Sequence, residues 1–185
     1  MKHVKKAHRT RLTTGGAVVA LGLAGVGAYS ASAGGGQDAA PATVAEATSG
    51  HTTATTRLTV AAATRAARAA LDAAEAEDQR VTVAVVDRDG NPLVTLRGDG
   101  AGPQSPGSAE RKAYTAVAWN APTSVLAGRL AQAPNLKDVP GTLFLAGGTP
   151  VTAQGAPIAG IGVAGAPSGD LDEKFARAGA AALEK

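Results

Sequence analysis

Seventeen residues, Val81 to Arg97 ("VTVAVVDRDGNPLVTLR"), decide how this chain folds. Val81 to Asp87 is an unbroken, largely β-branched run, the composition of a strand buried on both faces. The turn formers of "DRDGNP" then reverse the chain, and "LVTLR" returns as a second strand. Two strands joined by so short a link make a hairpin, which pairs antiparallel neighbours. The sheet that contains it is therefore antiparallel rather than doubly wound and parallel.

The flanking segments extend this picture. Leu58 to Gln79 is helical, because Val60, Ala63, Ala67, Leu71 and Ala74 recur at spacings of three and four and form one apolar stripe. Arg65, Arg68, Asp72 and Glu75 line another face, with Arg68 and Asp72 placed to pair at i,i+4. After a Gly- and Pro-rich loop from Gly98 to Gly107, Ser108 caps a helix that reaches about Asn120, where Pro122 stops it. A short helix from Ser124 to Gln132 follows. Strands are expected at Gly141–Ala146, near Pro150–Ala153 and at Pro157–Ala164, with a Gly-Gly turn between the first two. In the last helix, from Leu171 to about Glu184, Asp170 and Glu173 form a capping pair and Leu171, Phe175, Ala178 and Ala182 an apolar stripe. The order is α-β-β-α-α-β-β-β-α. The fold class expected is α/β of the α+β kind, a five-stranded antiparallel sheet flanked by helices.

Residues 1–33 read as a signal peptide. Lys2, Lys5, Lys6, Arg9 and Arg11 precede an uncharged apolar run from Gly15 to Tyr29, and Ala31-Ser32-Ala33 is a small-x-small cleavage pattern. The arginines of "HRTRL" are not adjacent, so the Sec pathway is expected rather than twin-arginine export, with a secreted, extracellular product; a membrane anchor is the competing reading. The leader holds five of the 18 basic residues and none of the 15 acidic ones, which leaves 13 against 15, near −2 rather than +3. No basic stripe remains, and nucleic acid is not an expected partner. Residues 34–56, small and polar without a period, form a flexible arm, and residues 57–185 form one domain.

Composition narrows the chemistry. With no cysteine, disulfides and Cys/His zinc sites are excluded. His51 is the one histidine outside the leader, so a Ser-His-Asp triad needs the arm to fold back. "GIGVAG", Gly160 to Gly165, matches G-x-G-x-x-G, but it opens no βαβ unit; glycines that let a helix pack close are the better account. Asp72, Glu75 and Asp78 are either a solvated helix face or a weak iron site. Haem iron takes His, Cys, Met or Tyr, which leaves His51 and Tyr114 as conventional ligands after processing. Within "ERKAYTAVAWNAP" (Glu110–Pro122), Lys112, Thr115 and Trp119 share one helix face, and Arg111, Tyr114 and Ala118 the next. That surface is either a wall offering cations for propionates and aromatic area for a porphyrin, or a core Trp119 with solvated cations.

Read in order, four motifs resemble the GlcG/HbpS family, known as a haem-degrading domain. They are the Lys-Ala-x-Thr-Ala segment at Lys112–Ala116, the Gly-Gly-x-Pro turn at Gly147–Pro150, the Gly-Ile-Gly-Val-x-Gly strand from Gly160, and the Asp172-Glu173 helix. The resemblance spans Leu58 to Leu183 and is greatest to the secreted, haem-binding branch. It implies haem b as cofactor, with iron as a second cargo, and a homo-oligomer, an octamer. It also implies a membrane sensor histidine kinase as partner in redox sensing. At residue level it implies a haem contact at Thr115 and a second at His51. Lys112, Arg111 and Tyr114 would contact the propionates and ring, and Asp72 and Glu75 would ligate iron. A slow, peroxide-driven haem-degrading activity, and an oligomer that binds a protein partner without haem, are the alternatives.

Overall fold

The computed structural model describes residues 44–184; the expected signal peptide and the first part of the arm lie outside them. The helices are α1 (Val60–Glu75), α2 (Ser105–Trp119), α3 (Thr123–Arg129) and α4 (Gly169–Ala181). The strands are β1 (Thr82–Asp87), β2 (Pro92–Arg97), β3 (Gly148–Ala153) and β4 (Ala156–Ala164). They form one antiparallel sheet in the order β2-β1-β4-β3. The Val81–Arg97 hairpin is present, and its ladder carries an irregularity between Val85 and Val86.

Alternation along the central strands builds three layers. Val83 and Val85 of β1, with Ala159, Ile161 and Val163 of β4, face α1 and α4, where Ala63, Ala67, Leu71, Ala74 and Phe175 close the larger core. The opposite face carries Ala84 and Val86, and on it lie Ala109, Ala113 and Val117 of α2. This is why β1 is buried along its whole length and reads as an unbroken apolar run from Val83 to Val86. The glycines of β4 set the spacing on the α2 side. A Cβ at Gly160 would lie 2.1 Å from the Ala113 carbonyl oxygen, and one at Gly162 2.1 Å from that of Ala109. The G-x-G pattern is thus a seat for a helix, and the dinucleotide reading has no counterpart here.

The sheet has four strands, not five. Gly141 to Ala146 is a loop, because its backbone groups find partners on α2 instead of in a ladder. The Leu143 N–H donates to the Thr115 hydroxyl at 2.7 Å, and Arg111 donates to the Thr142 carbonyl at 2.6 Å. Two caps also differ from the sequence reading. Helix α2 starts a turn earlier, with Pro106 in its first turn, so Ser108 lies inside it. At α4 the cap is Ser168, whose hydroxyl accepts from the Leu171 N–H at 3.3 Å. Asp172 and Glu173 are then turned into the interior.

Candidate functional site

Helix α2 packs on the sheet through small residues, so its remaining faces carry the larger side chains. Toward the β1–β2 turn it presents Glu110, Arg111 and Tyr114. With Val86, Gly90, Pro92, Pro140 and Gly141 these line an open groove of about 400 Å³. The Tyr114 ring is wedged between two glycines, both with positive φ: Gly90 at +88° and Gly141 at +79°. A Cβ at Gly90 would lie 2.7 Å from Tyr114 Cε2, and one at Gly141 3.4 Å from Cε1. Only glycine lets both walls close on the ring at these backbone angles.

The turn behind that wall is held by Asp87. Its Oδ1 accepts from the N–H groups of Asp89 and Asn91, each at 2.9 Å, and Arg57 bridges to Asp89 at 2.6 Å and Asp87 at 3.4 Å. Burial pushes the Asp87 carboxyl up, but the donors from Asn91 and Asp89 and the Arg57 cation outweigh it and hold it below its ordinary range. At the groove rim, Thr95 donates to Glu110 at 3.1 Å.

The residues read from the sequence divide into separate places. Arg111 and Tyr114 come together in the groove, as their shared helix face predicted. Lys112 does not join them. It is buried, and its ammonium donates to Asp172 at 2.7 Å and to the Val163 carbonyl at 3.1 Å. Its neighbour Gly147 could carry no side chain, since a Cβ there would lie 2.6 Å from Lys112 Nζ. In this fold Lys112 is held in an internal ion pair with Asp172. Thr115 is fully buried, with its hydroxyl donating to the Arg111 carbonyl at 2.7 Å and accepting from Leu143. It does not line the groove. Trp119 stacks edge-on against Phe144, centroids 5.7 Å apart, so the aromatic pair belongs to packing. His51 lies exposed in a one-turn 3₁₀ helix, Ser49–His51, in the extended arm.

Asp72 and Glu75 are exposed on α1 and border different surface depressions. Asp72 pairs with Arg68 at 3.6 Å, as their spacing indicates. Among the described residues no three His, Cys, Asp or Glu side chains gather as a metal would need.

Sequence reasoning missed the acids of α4. Asp172 holds Lys112 and accepts from the Ala166 N–H at 3.0 Å. Burial raises its carboxyl above the ordinary range, against the opposing pull of Lys112 and of the Ala166 and Gly165 amides. Glu173 accepts from the Ser124 N–H at 2.9 Å and its hydroxyl at 2.7 Å, and pairs with Arg177. The available signal was their spacing: Asp172 stands three, four and seven residues before Phe175, Ala176 and Gly179, and Glu173 three before Ala176, on the face that must be buried.

Fold and site together define a three-layer antiparallel α+β domain with an open groove walled by one tyrosine, small apolar side chains, an arginine and a glutamate. The family model described as haem degrading protein HbpS-like matches residues 58–181, and the chain belongs to that family. Among solved structures it is similar to a double mutant of Streptomyces reticuli HbpS, at 73% identity with a TM-score of 0.76, covering 77% of this chain and 97% of that one. It is likewise similar to a second HbpS crystal structure, at 75% identity and a TM-score of 0.74, covering 75% and 99% of the two chains. A crystal structure of a PduOC–haem complex is 27% identical with a TM-score of 0.63, covering 69% and 95%. No curated protein matches the chain.

Proposed function

We propose that this protein binds haem in the groove beside Tyr114. The observation that carries the reading is the groove's donor and wall set: a tyrosine ring, the apolar Val86, Pro92 and Pro140, and the exposed Arg111. Its volume lies in the range of small-molecule sites, about 300–1,000 Å³. These residues fit the group. Tyr114 offers aromatic area and a hydroxyl of a kind haem iron accepts, and Arg111 offers a forked cation for a propionate. Haem bound there would supply redox and oxygen chemistry; the chain's own residues position the ring plane and its acidic edge. Membership of the HbpS-like family and the likeness to a haem complex support the reading.

Titration of residues 34–185 with ferric haem tests it. A saturable Soret band is expected, weakened at least tenfold in Tyr114→Ala and severalfold in Arg111→Ala; no saturable band from the unaltered protein overturns it. Running His51→Ala in parallel checks whether the arm supplies a ligand.

The wider role we propose is a secreted accessory protein, exported through the Sec pathway, that assembles with copies of itself and buffers haem or iron. Iron would be held at Asp72 and Glu75, and oxidative conditions would be reported to a membrane sensor histidine kinase. N-terminal sequencing of the exported product should begin at Gly34, and light scattering should report an octamer. Ferrous-iron titration should respond to Asp72→Ala, and a sensor-domain pull-down tests the kinase. The family's description favours one second reading, slow haem breakdown driven by peroxide. Product analysis with and without catalase separates it from simple binding.

A further inference from the structure

The hydroxyl of Thr115 is fully buried and committed on both sides, yet it stands beside the groove rather than in it. It donates to the Arg111 carbonyl one turn back on α2 and accepts the Leu143 N–H, both at 2.7 Å. Arg111 in turn donates from Nη2 to the Thr142 carbonyl at 2.6 Å. Thr142 closes its own loop, its hydroxyl donating to the Val139 carbonyl at 2.7 Å. Two residues one helical turn apart therefore fasten the segment that carries Pro140 and Gly141, which form one wall of the groove. Gly141 is the residue packed against the Cε1 edge of Tyr114, while Gly90 of the β1–β2 turn holds the other edge.

From this connected set of contacts we infer that Thr115 is a positioning residue for the haem groove: through Leu143 it sets the Pro140–Gly141 wall and hence the seat of the Tyr114 ring, without touching the ligand. The inference rests on the haem reading for its ligand but not for its geometry. Removing the hydroxyl while keeping the side chain's shape, as in Thr115→Val, leaves the Leu143 N–H without its acceptor. A half-buried donor in that state favours loop conformations in which water can reach it. The wall then loosens on the side where Arg111 alone still holds Thr142. Thr115→Ser keeps the oxygen and restores the fastening.

Two measurements on residues 34–185 test this, one of them without haem. In the haem-free protein, amide hydrogen exchange at Leu143 is expected to quicken about tenfold or more in Thr115→Val and to return close to the unaltered rate in Thr115→Ser. With ferric haem, Thr115→Val is expected to raise Kd about tenfold while the Soret maximum at saturation stays where it was, because the iron's surroundings are the same once the site is filled. Unchanged Leu143 exchange in Thr115→Val overturns the inference. So does a shifted Soret maximum at saturation, which would make Thr115 a direct ligand. Should the unaltered protein bind no haem, the proposed function fails, and the exchange result alone still decides whether Thr115 sets the wall.

Discussion

Lys112 illustrates what a single residue type can hide. In the sequence it is one more cation beside an aromatic; in the fold it is buried with Asp172 under Gly147. Removing one partner of such a pair leaves the other charge buried and unmatched, which typically costs about 3–5 kcal/mol. Lys112→Met should therefore lower the urea-unfolding free energy at pH 7 by that order. Lys112→Met with Asp172→Leu should recover most of the loss, because apolar groups of similar size need no partner. A loss below about 1 kcal/mol in the single variant would show the pair to be solvated. The two aspartates with displaced affinities act in opposite directions with pH. Asp87 is held below its ordinary value, so its stabilisation is present above roughly pH 4 and is lost as pH falls through the lowered value. Asp172 is raised, so its ionisation opposes folding as pH rises from roughly 4 through its raised value. Asp87→Asn should flatten the loss of stability below about pH 4 in urea titrations at stepped pH, whereas Asp172→Asn should leave that acid limb in place.

At the scale of elements, the decisive contact is α2 on β4. The helix presents Ala109 and Ala113, the strand presents Gly160 and Gly162, and their backbones meet with no room for a methyl group. Gly162→Ala should cost about 3 kcal/mol or more, since backbone rather than a flexible side chain must move. Thermal unfolding measures this, and the same substitution at Gly107, where a Cβ meets nothing, is the control. Helix α4 gives a milder test: Ser168→Ala removes its cap and should cost about 1 kcal/mol. The hairpin and helices were legible because their periodicities are local. The segment from Gly141 to Ala146 has strand-like composition but became a loop, because α2 offered Thr115 and Arg111 as partners. No window of sequence around the loop records that offer, as the partners lie 28 and 31 residues earlier.

Across the whole molecule, the sheet is closed by helices on both faces, and the groove lies where α2, the β1–β2 turn and the Pro140 loop converge. The arm residues 44–56 are exposed throughout. A chain that begins at Arg57 should therefore keep an unfolding free energy in urea within about 0.5 kcal/mol of that of one that begins at Val44. Any contribution of His51 to haem binding would then be read in binding alone, separate from folding.

The sequence by itself determined the four helices, the hairpin and its antiparallel pairing, the helix seat at Gly160 and Gly162, and the family, because each follows from periodicity or short motifs. It also placed Arg111 and Tyr114 on one helix face. Only the tertiary structure decided which face of α2 meets the groove and which meets the core. That choice turns on contacts between distant segments: Lys112 with Asp172, and Thr115 with Leu143. A helix face is specified locally, whereas burial of a particular polar group depends on the partner that folding brings to it.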